Sequence, residues 1–352
     1  MSTPSRYPEL VVSGTPRAMG RQIGEALGET IREFAAIALE RVNLSMQVSR
    51  DNADRLAHDC IPRAEAYSPD FVEELRGMAE GAKLTLADVM LLQVRNQLKP
   101  DEAGGCTSLS LANVAGVGRV VAQNWDNDPL LDRFTVVLTR KPAGNPAFTT
   151  LTQAGLIAYI GVSEAGIGLC LNSLPAPSRR DGVPHYFTVR EMFAGRSLDD
   201  VVRAVERAER AIPANIMLTT PEGPADLEVT IDEVCVLRDP VCVTHANHCL
   251  HPRLATINSQ FGELIQSHSR QARIDELWTQ ARTQPVTLET VKSMLRDRQG
   301  APRSICREAN DDAGTGYWST VFSVILEGET GRMHVTRGTP SGRDYELYEP
   351  AW

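Results

Sequence analysis

Met19, Ile23, Leu27, Ile31, Phe34 and Ile37 recur every three or four residues, a spacing that lays one apolar stripe along a helix. Ser68 and Pro69 fit an N-cap and a first helical position, and predict a second helix through Phe71, Leu75 and Met78. Thr85 and Asp88 have the spacing of a capping box for a run over 86–98, which Pro100 ends. The first hundred residues therefore read as helical. Past Gly105 the period shortens to two. Segments 107–111 and 118–123 flank a turn at Gly116 and Gly118, which predicts a hairpin. Further strands are expected at 134–139, 147–152, 156–161, 168–172, 216–219, 225–230, 233–237, 241–245, 321–326 and 331–336. Helices are expected at 186–194, at 198–208 with Ser197 as cap, at 270–282 and at 288–297. No repeat or low-complexity tract interrupts this order. Helices layered on extensive antiparallel sheet define an α+β class.

Composition narrows the picture. With 352 residues, 42% hydrophobic and 23% charged, the chain is expected to be a soluble globular protein of one large domain or two. A net charge of −9 argues against nucleic acid or an anionic membrane surface as partner. No tract reaches the roughly 18 apolar residues that a membrane span needs. Neither a secretory pattern at the start nor a peroxisomal or lipidation signal at the end is evident, so the expected location is cytoplasmic. The seven cysteines are scattered and include no C-x-x-C pair. In a reducing compartment such residues read as small buried hydrophobes.

Cys106 stands apart, because it follows Gly104 and Gly105 and precedes Thr107 and Ser108 at the change from helix to strand. If the bond before it is cut, it becomes a new N-terminus with a thiol and an α-amine of pKa about 7.7–8.0. That amine can take the thiol proton near neutral pH without a partner histidine. Gly105 lets the backbone before the thiol turn at little steric cost. The plainer alternative is a Gly-Gly turn beside a buried thiol.

Other constellations are weaker. His245, His248, Cys249 and His251 suggest a metal site, but on a strand 245, 249 and 251 share one face and 248 points away. With no second cluster at finger spacing, no metal is expected. A papain-like pair needs a helix starting at the cysteine, whereas Cys106 opens a predicted strand. No P-loop and no G-x-G-x-x-G before a helix is present, so no cofactor is expected.

Several ordered segments together resemble the acyl-coenzyme A:6-aminopenicillanic acid (isopenicillin N) acyltransferase family of N-terminal nucleophile hydrolases. They are Gly14-Thr15-Pro16-Arg17-Ala18-Met19-Gly20, Glu73-Glu74-Leu75-Arg76-Gly77-Met78-Ala79-Glu80-Gly81, Gly105-Cys106-Thr107, Gln123-Asn124-Trp125-Asp126, Gln153-Ala154-Gly155, Thr244-His245-Ala246-Asn247-His248 and Ser304-Ile305-Cys306-Arg307. The resemblance implies a four-layer αββα fold, self-cleavage between Gly105 and Cys106, and amide hydrolysis or acyl transfer. It makes Asn247 the side-chain oxyanion donor and Asp126 an active-site carboxylate near the new terminus. The alternative for Asp126 is an Asx-turn residue ahead of Pro129. Thr107, Trp125 and Asn172 are expected to contact substrate. One departure stands out. Relatives that act on penicillins carry Lys-Ser-Arg-Gly where this chain has Thr315-Gly316-Tyr317-Trp318-Ser319, so Tyr317 takes the place of an arginine. Either Arg307 or Arg303 substitutes for it, or the substrate lacks the matching anionic group. With Tyr317 and Trp318 facing the cleft, the pocket would favour neutral or aromatic groups, which argues against penicillin.

The expected protein is thus a precursor whose fragments, 1–105 (mainly helical) and 106–352 (β-rich), stay packed as one globular unit. It cleaves a small-molecule amide through an acyl-enzyme on Cys106. The alternatives are an acyl-CoA-dependent N-acyltransferase and a non-enzymatic binding protein of the same fold. A homo-oligomer is left open.

Overall fold

The computed structural model describes residues 4–43, 47–98, 105–310 and 318–352. Thr15 opens α1 (Pro16–Val42) by accepting the N–H of Ala18, and Pro16 occupies the first turn, where no N–H is needed. Met19, Ile23, Ile31 and Phe34 of the predicted stripe are buried, with Leu27 and Ile37 partly so. Next come α2 (Arg50–Tyr67), α3 (Pro69–Ala82) and α4 (Leu86–Leu98). The Thr85–Asp88 capping box forms in both directions, over 3.1 and 3.0 Å. A Cβ on Gly20 would lie 1.8 Å from the Glu74 carbonyl oxygen, and one on Gly77 would lie 2.1 Å from that of Arg17. The backbones of α1 and α3 therefore touch, and the two glycine-bearing segments near the N-terminus act in helix packing.

Helical texture hid one strand. β1 (Glu9–Gly14) runs parallel to β4 (Thr135–Pro142), with Glu9 opposite Val137. The helix α2 falls within the stretch expected to be helical, although its charged surface leaves too weak an apolar stripe to delimit it.

Two sheets form the centre. The first is ordered β1-β4-β5-β6-β7-β8-β9-β10, where β5 is Phe148–Gln153, β6 Ile160–Ser163, β7 Gly168–Asn172, β8 Ala214–Thr220, β9 Gly223–Val229 and β10 Val234–Arg238. The second is ordered β11-β2-β3-β12-β13-β14, where β2 is Cys106–Val114, β3 Gly118–Asn127, β11 Cys242–His245, β12 Ser319–Glu327, β13 Met333–Arg337 and β14 Glu346–Tyr348. β2 and β3 pack face to face on β7 and β8. On the outer face of the first sheet lie α1, over β1 and β4, and α6 (Leu198–Glu206), over β10, with α5 (His185–Met192) packed between α4 and α6. On the outer face of the second lie α7 (Ser267–Ala281) and α8 (Leu288–Leu295). The arrangement is the four-layer αββα form of the α+β class. Sandwiched strands such as β5, β8 and β12 are buried along their whole length, so polar alternation is faint in them.

The strand expected over 156–161 begins only at Ile160. Gly155 turns the chain at φ +98°, and side chains then take over the backbone bonds of the loop. Gln93 bonds the Gly155 carbonyl (2.7 Å) and the Ile157 N–H (3.1 Å), and Arg140 bonds the Leu156 carbonyl (3.1 Å). Satisfied in this way, the loop needs no strand partner. Among the described residues no helix is long and apolar enough to cross a membrane.

Candidate active site

Cys106 is the first residue of β2, in the middle of the second sheet, opposite Trp125 of β3. The peptide bond before it is held from both sides. The Gly105 carbonyl accepts the N–H of Asp126 over 2.8 Å. The Cys106 N–H donates to Oδ1 of Asn247 over 2.9 Å. Asn247 is placed by β11, whose His245 pairs with Ser108 of β2, and its own N–H is tied to Ser267 Oγ at 2.7 Å.

Arg270 completes the arrangement, and the sequence reading missed it. This buried arginine of α7 donates from Nη2 to Asn247 Oδ1 (2.7 Å), and from Nη1 to the Cys106 carbonyl and to Thr107 Oγ1 (2.9 Å). Two donors on Oδ1 settle which way the Asn247 amide faces. Its Nδ2 therefore points to the Ser173 carbonyl, 2.8 Å away, which occupies one of its two N–H groups. Burial lowers the Arg270 pKa to about 10, against the pull of Asp126, and leaves it charged at neutral pH. In sequence Arg270 is one of several arginines on a polar helix, and no local signal separates it from Arg273.

Asp126 lies inside β3, not in a turn; the Asx role falls to Asp128, which accepts the Leu130 N–H over 3.0 Å. Asp126 Oδ1 receives the Thr320 hydroxyl at 2.6 Å, beside an irregularity in the β3–β12 ladder. Its Oδ2 is 4.0 Å from Arg307 Nε and has no hydrogen-bond partner among the described residues. Burial raises the Asp126 pKa to about 6, although Arg307 and Arg270 pull it down. Burial, and then the Asp126 charge, push the Cys106 thiol well up. A thiolate is therefore not the resting state of the intact chain.

Cys106 faces a pocket whose walls include Trp125, Tyr159, Asn172 and Tyr186. Trp125 stacks on Phe322 at 4.8 Å and meets Tyr159 edge-on at 5.7 Å. Asn172 borders the pocket with its polar atoms already engaged. Its Oδ1 accepts from Gln123 (2.6 Å), and its Nδ2 donates to the carbonyls of Ala246 (2.7 Å) and His245 (3.2 Å). It holds the turn that carries Asn247. Thr107, Arg307 and Trp318 are not among the described pocket walls. Thr107 serves Arg270, and the buried Arg307 backs Asp126 and donates to Gln266 Oε1 at 3.0 Å. Trp318 is partly buried just ahead of β12, and Tyr317 lies outside the described residues.

The histidine cluster resolves differently from its sequence spacing. His245 packs with Asp226 and Glu228, both from β9 on the facing sheet. Its Nδ1 faces the Ala246 carbonyl at 2.9 Å and its Nε2 faces Glu228 at 3.0 Å, so the ring bridges the segment before Asn247 to the facing sheet. Glu228 also accepts the N–H groups of Leu250 and His251, pinning the segment after Asn247.

The family model "Acyl-coenzyme A:6-aminopenicillanic acid acyl-transferase" matches residues 114–342, starting within β2 just past Cys106. The 40 kDa form of acyl-coenzyme A:6-aminopenicillanic-acid-acyltransferase from Emericella nidulans is 24% identical over 340 residues, covering 94% of this chain and 92% of that protein. Beta-alanyl-dopamine/carcinine hydrolase from Drosophila melanogaster is 23% identical over 337 residues, 86% of each chain. Among solved structures, a mutant of conjugated bile acid hydrolase from Clostridium perfringens aligns with TM-score 0.45 and 12% identity, over 70% of this chain and 97% of that one. Penicillin V acylase from Agrobacterium tumefaciens aligns with TM-score 0.46 and 12% identity, over 65% and 82%. With most of its length matched by the family model, this chain belongs to the acyl-coenzyme A:6-aminopenicillanic acid acyl-transferase family of enzymes.

Proposed function

We propose that the chain is a self-processing cysteine amidohydrolase. The observation that carries this reading is the pair of bonds across the 105–106 peptide, Asp126 N–H to the Gly105 carbonyl and Cys106 N–H to Asn247. Polarisation of a carbonyl beside a nucleophile is what an acyl shift requires. In maturation, the Cys106 thiol gives its proton to the Asp126 carboxylate and adds to the Gly105 carbonyl carbon. The Gly105–Cys106 C–N bond then breaks, the Cys106 nitrogen takes the proton as it leaves, and water hydrolyses the resulting thioester.

The matured site works on the same plan. The new α-amine of Cys106 takes the thiol proton, sulfur attacks a substrate amide, and the remaining Nδ2 N–H of Asn247 receives the oxyanion. The protonated amine passes its proton to the leaving nitrogen, and water releases the acyl group. Asp126 in its ionised form favours the ammonium that appears in each cycle. An amine in place of water would give transfer, and the two curated relatives are named for one outcome each. Hydrolysis is the proposed outcome, because transfer demands a dedicated acceptor site.

The cut products are proposed to stay together. Fragment 1–105 supplies β1 to the first sheet and helices α1 to α4 to the outer layer. All seven cysteines are free, which fits a reducing cytoplasm.

Intact-mass spectrometry, with a panel of N-acyl amines followed by liquid chromatography, tests the reading. Wild type should show two fragments and amide cleavage, and Cys106→Ala neither. A fully active single chain would overturn it.

A further inference from the structure

Arg95 is a charged side chain with no assigned task in the site. It comes from α4, lines the pocket that Cys106 faces, and is partly exposed there. Its guanidinium lies between the rings of Phe34 and Tyr186, 5.3 and 5.4 Å from their centres. Nη1 donates to the Leu92 carbonyl at 3.1 Å. Among the described residues it has no carboxylate partner, unlike Arg140, which is bound to Glu74 at 2.7 Å. A guanidinium has five N–H donors in a planar fork, so most remain for a ligand. Burial drives the only histidine in these walls, His185, down to about 4, which keeps it neutral. Arg95 is thus the cation that the described pocket presents.

We infer that Arg95 is a specificity-determining residue that binds a carboxylate on the substrate, so that the preferred substrate is a small amide carrying a carboxylate and an apolar or aromatic body. The inference rests on the amidohydrolase reading for the identity of the reacting group, and on the pocket alone for the charge. Trp125, Tyr159 and Tyr186 form a connected aromatic wall, with Tyr159 and Tyr186 edge-on at 5.6 Å. Asn96 donates to the Tyr186 hydroxyl at 3.0 Å, and this holds the ring beneath Arg95. A flat group can lie on this wall while its carboxylate meets the guanidinium. A single cation matches one carboxylate; a phosphate would leave a second charge unmet. The anion site therefore lies on the 1–105 side of the proposed cut, on α4.

Calorimetry on Cys106→Ala, which keeps the chain intact, tests the charge without turnover. N-phenylacetylglycine is compared with N-phenylacetylglycinamide for a charge on the amine side, and N-glutarylaniline with N-pentanoylaniline for a charge on the acyl side. In one of the pairs the carboxylate should bind about tenfold tighter or more, the scale of one charge-assisted contact. Arg95→Gln in the same background should bring that ratio toward one, and Arg95→Lys should retain part of it. Equal affinity in both pairs, whether all four bind or none does, overturns the inference. So does a ratio that survives Arg95→Gln. Wild-type turnover of the same compounds separates the two readings: a charge preference without any hydrolysis leaves the anion site standing and removes the amidohydrolase.

Discussion

The backbone N–H of Asp126 donates to the carbonyl oxygen of Gly105 across 2.8 Å, so the residue that brings a carboxylate also polarises the bond to be cut. The expected outcome is spontaneous cleavage into 1–105 and 106–352. Edman sequencing of the larger fragment should begin Cys-Thr-Ser-Leu-Ser. Cys106→Ala should stay whole, and Cys106→Ser should cleave slowly because an alcohol is a poorer nucleophile near neutral pH. Cleavage of the alanine variant at wild-type rate would place the nucleophile elsewhere.

The Asp126 carboxyl has its pKa raised by burial from 3.8 to about 6 in the intact chain. It is thus mostly protonated at pH 5 and mostly ionised at pH 7, and only the ionised form can accept the proton of the residue-106 nucleophile, thiol or hydroxyl. The cleavage rate of the slow Cys106→Ser precursor should therefore rise through about pH 6 and level off above it. Asp126→Asn should lose that rise. A flat profile between pH 4.5 and 8 in the parent would remove Asp126 as the base.

Asn247→Ala should lower kcat by about 10²–10³ with a smaller change in KM, as for loss of a donor aimed at charge that develops on attack. Steady-state kinetics on the best amide of the panel measure this. A raised KM with unchanged kcat would make Asn247 a substrate-binding residue.

Arg270 positions Asn247 and the first two residues of β2 from within α7. Arg270→Met leaves several buried acceptors unmet, each costing about 1–3 kcal/mol, so both the melting temperature and kcat should drop. Arg270→Lys restores the charge but not the fork, and should recover stability more than turnover. Equal recovery of both would reduce Arg270 to a purely structural part.

Asp226 and His245 predict how stability responds to pH. Burial raises the Asp226 carboxyl from 3.8 to about 7, because the charged form is desolvated, despite the nearby His245. Burial opposes a charge on His245, yet Asp226 and Glu228 outweigh it and raise its pKa above 6.5. Both signs run the same way. For Asp226, folding favours the protonated form, so stability declines as pH rises from about 4 toward about 7; for His245 the decline starts near 6.5 and continues upward. Melting temperatures from pH 4 to 8 should show this fall, with a shallower slope in Asp226→Asn. A slope unaltered by that substitution would assign the dependence to other groups.

Much of this was legible locally. The α1 stripe, the Thr85–Asp88 cap and the β2–β3 hairpin follow from periodicity and turn chemistry, which operate over a few residues. Cys106 was marked by its glycines and by the change of texture around it. What sequence alone could not contain was long-range pairing. β1 became a strand because β4 offered it an edge, and 156–159 did not because Gln93 and Arg140 satisfied its backbone first. Arg270 and Arg95 look like ordinary helix-surface arginines in one dimension. Only the fold buries the first against Cys106, 164 residues away, and leaves the second in the pocket without a carboxylate partner among the described residues. A charge acquires its role from the groups that surround it, and those groups are set by the tertiary structure.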